Sequence, residues 1–296
     1  MKLDGKKVAV LAGDARMVEV MRQARLAGGD VFAFAAAEGA EAATGRPVAT
    51  TITEALSDAG LVICPVPGLG PDDSLWTPNA AEPVHLTPET LATTAEGCVM
   101  FMGRVSEGIA AVAEASGVQA VAHGDDDAEA LYHAVPTAEG AVRHAIEMSD
   151  VTIMGSRSVC TGFGRVGQSM AWLARAMGST VTLFARNPSQ RARAWGFGFD
   201  PVPLDELAQH IGDADFIFQS IPGLDGYVMT RDVLEQVKPG ATLIELSSPP
   251  SGTDLEAAAS LGVRALWARG QAGSAPVTAG RNEWTVISRM YDEITG

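Results

Sequence analysis

The residues with the clearest chemical meaning in this sequence form a glycine-rich run, Gly162-Phe163-Gly164-Arg165-Val166-Gly167. The run follows a predicted strand, Ser158–Thr161, and precedes a helical pattern over Gln168–Met177. In that setting the first glycine permits a tight turn, the second lets the backbone approach a pyrophosphate, and the third lets helix and strand pack closely. The helix N-terminus adds N–H donors and a positive dipole. We predict a dinucleotide site, with a purely structural strand-to-helix turn as the alternative.

The residues after the next predicted strand indicate which dinucleotide is bound. An NAD site usually has a carboxylate about 20 residues beyond the glycines, where it accepts hydrogen bonds from the ribose. The strand Val181–Phe184 is instead followed by Arg186 and Asn187, with Ser189 and Arg191 close behind. An arginine at this point binds the 2′-phosphate of NADP through charge-assisted hydrogen bonds. The sequence favours NADP and leaves NAD open; a solvated basic loop is the alternative.

Loops after other predicted strands carry the candidate substrate contacts, because ligands of open α/β sheets bind beyond the carboxyl ends of the strands. Arg16 and Arg104 occupy such loops, and a guanidinium forks onto the two oxygens of a carboxylate. A surface ion pair between Arg16 and Asp14 is the alternative. In the second half of the chain, Ser247 is a further substrate candidate, and Ser220-Ile221-Pro222 are expected to lie against the cofactor.

Three residues near the middle of the chain are candidates for moving a proton: His133, Thr137 and Glu139. A histidine has a pKa close to the operating pH of most enzymes, although a structural or surface role for His133 is the alternative. Thr137 is also predicted to cap a helix that runs to about Met148, with Pro136 stopping it from extending backwards. Since no metalloprotease, serine-hydrolase or phosphate-loop motif occurs, no metal is expected.

Composition excludes several classes of partner. The chain has 36 acidic and 21 basic residues and a net charge of −15, which argues against binding to nucleic acid or to anionic membranes. Its apolar runs are too short to span a bilayer, and the N-terminus lacks a signal-peptide pattern, so a cytoplasmic protein is expected. Cys64, Cys98 and Cys160 have no C-x-x-C spacing and are expected to be buried, reduced thiols.

Short apolar runs alternate with helical patterns along the whole chain, which is typical of parallel sheets built from βαβ units. The predicted fold class is therefore α/β, with two doubly wound Rossmann-like lobes and a cleft between them. Residues 1–149 are expected to bind substrate and partner, and 150–280 are expected to bind NADP. Residues 281–296 are expected to form a helix that packs back on the first lobe through an apolar stripe of Trp284, Ile287, Tyr291 and Ile294.

Two stretches are more specific than the glycine run: Gly13-Asp14-Ala15-Arg16 and Pro136-Thr137-Ala138-Glu139-Gly140. With Gly252-Thr253-Asp254 and Thr278-Ala279-Gly280, in this order and spacing, they make the chain similar over nearly its full length to one family, the A subunits of dipicolinate synthase in spore-forming bacteria. The sequence departs from the family pattern at three positions. Val277 stands where a lysine is expected, and Ala12 and Ser251 replace glycines.

The resemblance implies an NAD(P)-dependent oxidoreductase that acts in sporulation. Its product is dipicolinate, an aromatic pyridine dicarboxylate, and its substrate is a dihydrodipicolinate derived from hydroxytetrahydrodipicolinate. The resemblance also implies a partner, the flavoprotein-like B subunit of dipicolinate synthase, and it leaves a homo-oligomer open. A substrate with two carboxylates matches the candidate arginines. The alternatives are a two-lobe dehydrogenase of 2-hydroxy or amino acids, and a non-catalytic NADP-binding subunit.

Overall fold

The computed structural model describes residues 1–66, 69–70 and 72–296. The chain divides into two compact units. The first unit comprises Met1–Tyr132 and Ala275–Gly296, and the second comprises His133–Ser274. These limits differ from the boundaries expected after residues 149 and 280, and the assignment of those ranges to substrate and to NADP stays a prediction.

The first unit contains a five-stranded sheet in which all neighbouring strands are parallel. Alternate residues of its first strand, Lys7–Leu11, enter two different apolar clusters: Val8 and Val10 in one, and Ala9 and Leu11 in the other. Both faces of the sheet are therefore covered, as in other parallel sheets. The strands are β1 (Lys7–Leu11), β2 (Asp30–Phe34), β3 (Leu61–Ile63), β4 (Val99–Met102) and β5 (Gln119–Ala122), in the spatial order β2-β1-β3-β4-β5.

The direction of strand progression reverses between β1 and β3, and in doubly wound sheets ligands bind at such a reversal. The helix that follows β1 begins there because the Asp14 carboxylate caps it, accepting a hydrogen bond from Arg16 N over 3.0 Å. The helices of this region are α1 (Ala15–Leu26), α2 (Ala40–Thr44), α3 (Ile52–Leu56), α4 (Pro88–Leu91) and α5 (Glu107–Ala115), followed by the long α6 (Asp127–Met148).

The second unit contains a six-stranded parallel sheet with the strand order of a dinucleotide-binding fold. Its strands are β6 (Arg157–Thr161), β7 (Thr180–Ala185), β8 (Asp200–Pro203), β9 (Phe216–Gln219), β10 (Thr242–Glu245) and β11 (Arg264–Trp267), in the order β11-β10-β9-β6-β7-β8. Its further helices are α7 (Arg165–Ala176), α8 (Pro188–Gly196), α9 (Leu207–His210), α10 (Arg231–Leu234) and α11 (Leu255–Ser260). The prediction of two Rossmann-like α/β lobes is confirmed.

Among the described strands, β8 is the one that sequence patterns did not predict. Its sequence, Asp200-Pro201-Val202-Pro203, has two prolines and is typical of a turn. Proline is tolerated on an edge strand, where its missing N–H is not needed for pairing. Because β8 pairs only with β7, this edge position accommodates it.

The predicted helix start at Thr137 is wrong, because α6 is continuous from Asp127 to Met148 with Pro136 inside it. The cap is Asp126, whose Oδ1 accepts hydrogen bonds from the N–H groups of Ala128 and Glu129. The Thr137 hydroxyl instead donates to the His133 carbonyl oxygen over 2.7 Å, within the helix. Pro136 therefore lies within α6 and does not mark its beginning.

The last helix, α12 (Pro276–Thr295), belongs to the first unit and packs against α1. Ile287 and Tyr291 are buried in an apolar cluster of that unit, Trp284 packs against the cluster, and Ile294 is exposed. Cysteines 64, 98 and 160 are buried and free, as predicted. In the described part of the chain, every helix is too short or too polar to cross a membrane.

Candidate cofactor and substrate sites

The glycine run forms the turn between β6 and α7. Gly162 has a φ of +85°, and a Cβ on it would lie 2.8 Å from Ser220 Oγ. A Cβ on Gly167 would lie 2.3 Å from the carbonyl oxygen of Gly162. Both positions require glycine because a side chain would clash with neighbouring atoms. Gly162 also has a positive φ, which favours glycine. Helix α7 begins earlier than predicted, at Arg165, so that Gly167 lies within its first turn.

Gly164 differs from its neighbours because a Cβ on it would meet no atom within 4 Å. It is the N-cap of the twelve-residue helix α7, and no side chain caps the N–H groups there. The backbone N–H donors of a helix start and the helix dipole fit the pyrophosphate of a dinucleotide. Of the other residues in the run, Phe163 is buried in the core, Val166 packs against that core, and Arg165 is exposed.

Gly164→Ala should weaken binding of the dinucleotide about tenfold without lowering the melting temperature. The new methyl group would occupy the space where we expect the pyrophosphate, whereas the φ of −80° at this residue suits alanine. Cofactor fluorescence titration and thermal melting measure the two effects. Gly196→Ala, at an equally open site in α8, is the matched control and should change neither affinity nor stability by much. Unchanged affinity of the Gly164 variant would place the pyrophosphate elsewhere.

A buried hydrogen-bond network ties together the carboxyl ends of β6, β9 and β10. The Glu245 carboxylate accepts hydrogen bonds from Gln219 Nε2 (3.0 Å), Thr253 Oγ1 (2.5 Å) and Ser247 N (2.8 Å). Gln219 Oε1 in turn accepts from Thr161 Oγ1 (2.7 Å). The network fixes the two loops that begin at Ser220 and at Ser247, at the edge where the dinucleotide fold binds its ligand.

The loop Ser220-Ile221-Pro222 is half-buried and lies against the glycine turn. The Ser220 hydroxyl donates to the Thr161 carbonyl oxygen over 2.7 Å, and Ile221 N donates to Gln219 Oε1 over 2.6 Å. Ser247 is buried, and its Oγ has no hydrogen-bond partner among the described residues. An orphaned buried hydroxyl at this edge is available to a ligand.

Beyond β7, two of the candidate residues for the 2′-phosphate, Arg186 and Arg191, line an open pocket of about 720 Å³. Arg186 is exposed and pairs with Asp225 over 2.9 Å. Arg191 Nη1 donates to the carbonyl oxygens of Ala185 and Arg186, so this side chain buttresses the turn. Asn187 caps α8 by accepting from Ser189 N over 2.8 Å. The Asp225 carboxylate lies far from the predicted position in sequence, which is why the motif did not reveal it.

In the first unit, Arg16 lies at the strand-order reversal, in the first turn of α1. It is only 9% exposed, and its Nε donates to Asp14 Oδ1 (2.9 Å) and Oδ2 (3.2 Å). Its two Nη nitrogens form no hydrogen bond within the described residues, which leaves one edge of the guanidinium for a ligand. The Trp76 ring lies 6.0 Å from the guanidinium carbon. The alternative of an ion pair with Asp14 is thus realised, but in a buried setting and not on the surface.

The remaining predicted site residues, Arg104 and three residues of α6, differ in how far they are buried. Arg104 is exposed in the loop after β4. On α6, His133 is half-buried and Thr137 is one turn beyond it, while Glu139 is exposed. The Thr137 hydroxyl contacts the His133 backbone carbonyl oxygen and not the imidazole. Their catalytic roles, and that of Glu139, stay predictions.

Sequence reasoning missed a cluster of ionisable residues buried in the first unit: His123, Glu129 and Glu283, each no more than 1% exposed. His123 Nδ1 and Glu129 Oε2 are 2.6 Å apart. Burial opposes the charged imidazole, but the hydrogen bond and charge of Glu129 outweigh it and raise the pKa of His123. Two signals were available: His123 directly follows a strand, and Glu283 shares a helical face with the apolar Ile287.

Comparison with protein-family models gives two matches, one in the region of each sheet. Residues 7–123 match the N-terminal domain of the A subunit of dipicolinate synthase. Residues 132–249 match the NAD-binding domain of D-isomer-specific 2-hydroxyacid dehydrogenases. The second match covers the glycine turn and the Gln219–Glu245 network.

Comparison with known proteins extends over nearly the whole chain. The chain is 31% identical to the A subunit of dipicolinate synthase of Bacillus subtilis (strain 168), over 99% of this chain and 98% of that protein. The crystal structure of the B. subtilis protein superposes with a TM-score of 0.85 over 99% of this chain and 98% of that one. The corresponding protein from Bacillus halodurans is 28% identical with a TM-score of 0.83, covering 98% of this chain and 99% of that chain.

The transhydrogenase of Sinorhizobium meliloti, 16% identical with a TM-score of 0.68 over 97% of this chain and 94% of its own, shares the fold alone. Together, the parallel sheet, the glycine turn and the family match define the chain as an oxidoreductase of the dehydrogenase class with a nicotinamide-dinucleotide-binding domain. Within that class, the chain belongs to the family of dipicolinate synthase A subunits.

Proposed function

We propose that the chain is the A subunit of a dipicolinate synthase and that it oxidises a dihydrodipicolinate to dipicolinate with NADP. The observation that carries this proposal is the full-length similarity to the B. subtilis protein, which extends over both units and not over the common nucleotide fold alone. The buried Arg16, with a free guanidinium edge, supports a carboxylate-bearing substrate.

The second unit supplies the cofactor site in this proposal. Backbone N–H groups at Gly164 and the start of α7 bind the pyrophosphate, and Arg186 binds the 2′-phosphate. The Gln219–Glu245 network holds the loops at Ser220 and Ser247, which shape the end of the site where the nicotinamide lies. When bound, the nicotinamide accepts a hydride.

The first unit supplies the substrate contact. Arg16 presents its Nη edge to one carboxylate, while Asp14 holds the guanidinium through Nε. Loss of a hydride and a proton from a dihydropyridine yields an aromatic ring, which makes the reaction strongly favourable. The main task of the chain is then to orient the ring, with one residue accepting the proton.

Arg186→Asp should weaken NADP binding tenfold or more and improve relative use of NAD. A carboxylate repels the 2′-phosphate, and a hydrogen bond to a charged group contributes about 1.5–3 kcal/mol. Because Asp225 competes for Arg186, Asp225→Asn should have the opposite effect and tighten NADP binding. Dissociation constants for both cofactors measure the change. Unchanged preference in both variants would mean that the phosphate binds elsewhere in the site.

A turnover assay tests the proposed function. The chain is mixed under argon with NADP and freshly generated dihydrodipicolinate, with and without the partner subunit that we propose from the name of its relatives. Absorbance reports NADPH and the pyridine product. We expect both to appear in equal amounts. Turnover of 2-hydroxy or amino acids in place of dihydrodipicolinate, or cofactor binding without any turnover, would overturn the proposal.

A further inference from the structure

The proposed function leaves the proton without an acceptor, and the buried cluster His123–Glu129–Glu283 is not used by it. All three side chains lie in the interior of the first unit, where unpaired ionisable groups are costly. Glu283 Oε1 is buried and has no hydrogen-bond partner among the described residues. Such an orphaned group in a native interior is frequently retained for function and not for stability.

The cluster lies beside the proposed substrate anchor. A Cβ on Gly280 would lie 2.4 Å from the Arg16 carbonyl oxygen, so α12 touches the first turn of α1. Glu283 is three residues further along α12, on the same helical side. Arg16 is accordingly among the charges that act on the Glu283 carboxyl.

The hydrogen bonding of the cluster separates its members by role. His123 and Glu129 are joined over 2.6 Å, so His123 Nδ1 has a partner, and the hydrogen bond and charge of Glu129 raise the pKa of the imidazole. The Glu129 carboxylate is held by His123 through Oε2, whereas Glu283 Oε1 is buried without a hydrogen-bond partner among the described residues. Burial raises its pKa to about 7, the charge of His123 opposes that rise and Glu129 adds to it, so ionised and neutral forms coexist near neutral pH.

We propose that Glu283 accepts the proton that leaves the substrate ring, and that the His123–Glu129 pair positions and polarises it. The inference rests on the proposed function. One ring carbon gives up a hydride to the nicotinamide, and the neighbouring carbon gives up a proton to Glu283. The electron pair of that second C–H bond enters the aromatic ring, and the carboxylate becomes a carboxylic acid. The charged groups that act on the Glu283 carboxyl are His123 after β5, Glu129 on α6, and Asp14 and Arg16 at the start of α1.

Glu283→Gln tests the proposal, because glutamine keeps the shape of the side chain and accepts no proton. We expect kcat to fall about a hundredfold, with the NADP dissociation constant unchanged. In the wild type, kcat/KM should rise with pH through about 7 as Glu283 ionises, and the variant should lack that rise.

Thermal stability gives a second measurement, because the variant should be at least as stable as the wild type while its kcat falls. The pKa of Glu283 is higher in the folded state than its usual 4.5, so the folded chain binds this proton more tightly than the unfolded chain. Wild-type stability is therefore lost as the pH rises from about 4.5 to about 7. Glu283→Gln removes this loss and should melt at or above the wild-type temperature at higher pH. An inactive variant that is at least as stable excludes unfolding as the cause.

Glu19→Gln is the matched control. Glu19 is equally buried on α1 but pairs with Arg22 and Arg281. This variant should melt at a lower temperature while keeping the wild-type rise of kcat/KM with pH. Wild-type turnover together with a Glu283→Gln variant that retains more than a tenth of kcat and the same pH profile would overturn this inference alone. Absence of any wild-type turnover would overturn the proposed function, and the inference with it.

Discussion

Arg16→Ala is expected to lower kcat/KM for the dicarboxylate substrate several hundredfold and to leave the NADP dissociation constant unchanged. Two charge-assisted hydrogen bonds from a guanidinium edge to a carboxylate, at about 1.5–2 kcal/mol each, account for a loss of this size. The proposed NADP site uses residues of the second unit, so the affinity for NADP is the internal reference. Steady-state kinetics and a cofactor titration measure the two quantities.

Two variants separate anchoring from simple loss of charge. Arg16→Lys keeps the charge but not the planar fork, and it should recover little of the activity. Arg104→Ala removes the same charge from an exposed loop after β4 and is the matched comparison. If Arg16→Ala melts normally and handles substrate like the parent, the anchor is wrongly assigned and Arg104 becomes the better candidate.

Glu245→Ala is expected to lower the free energy of unfolding by about 3–5 kcal/mol, because three buried donors lose their acceptor at once. The donors are Gln219 Nε2, Thr253 Oγ1 and Ser247 N. The Glu245 side chain is fully buried, so water does not replace the carboxylate without cost. Chemical denaturation measures the change, and loss of cofactor binding should accompany it because the loops at Ser220 and Ser247 come free.

Glu235→Ala removes a glutamate from the surface of the same unit and is the control. It should change stability by no more than about 0.5 kcal/mol. A Glu245→Ala variant as stable as this control would mean that the network contributes little and that apolar packing alone holds the loops.

The fold was predictable from sequence to the extent that each strand was a buried apolar run. Strands such as Lys7–Leu11 and Phe216–Gln219 lie inside sheets covered on both faces, and their composition indicates it. Asp200–Pro203 was missed because its prolines are tolerated only by an edge position that the sequence does not reveal. The start of α6 was misplaced because Pro136 lies inside a helix that neighbouring turns sustain.

The candidate sites were likewise predictable from sequence only in part. The glycine turn is local, so six consecutive residues were sufficient to predict it. The buried groups were at most predictable as single positions, since their roles depend on partners far apart in the chain. Gln219 and Glu245 are separated by 26 residues, and Arg186 and Asp225 by 39. Glu283 is far from both His123 and Arg16 in sequence, and these charges come together through the fold of the first unit, in which α12 packs against α1.

The transfer of hydride from the substrate ring to the nicotinamide is the central claim, and isotope tracing tests it most directly. Dihydrodipicolinate carrying deuterium at the ring carbons is incubated under argon with the chain and NADP, in the presence of the proposed partner subunit. Mass spectrometry then follows the label in the reduced cofactor. We predict one deuterium per reduced nicotinamide and one dipicolinate formed for each. Dipicolinate that forms while the reduced cofactor carries no deuterium would contradict the account.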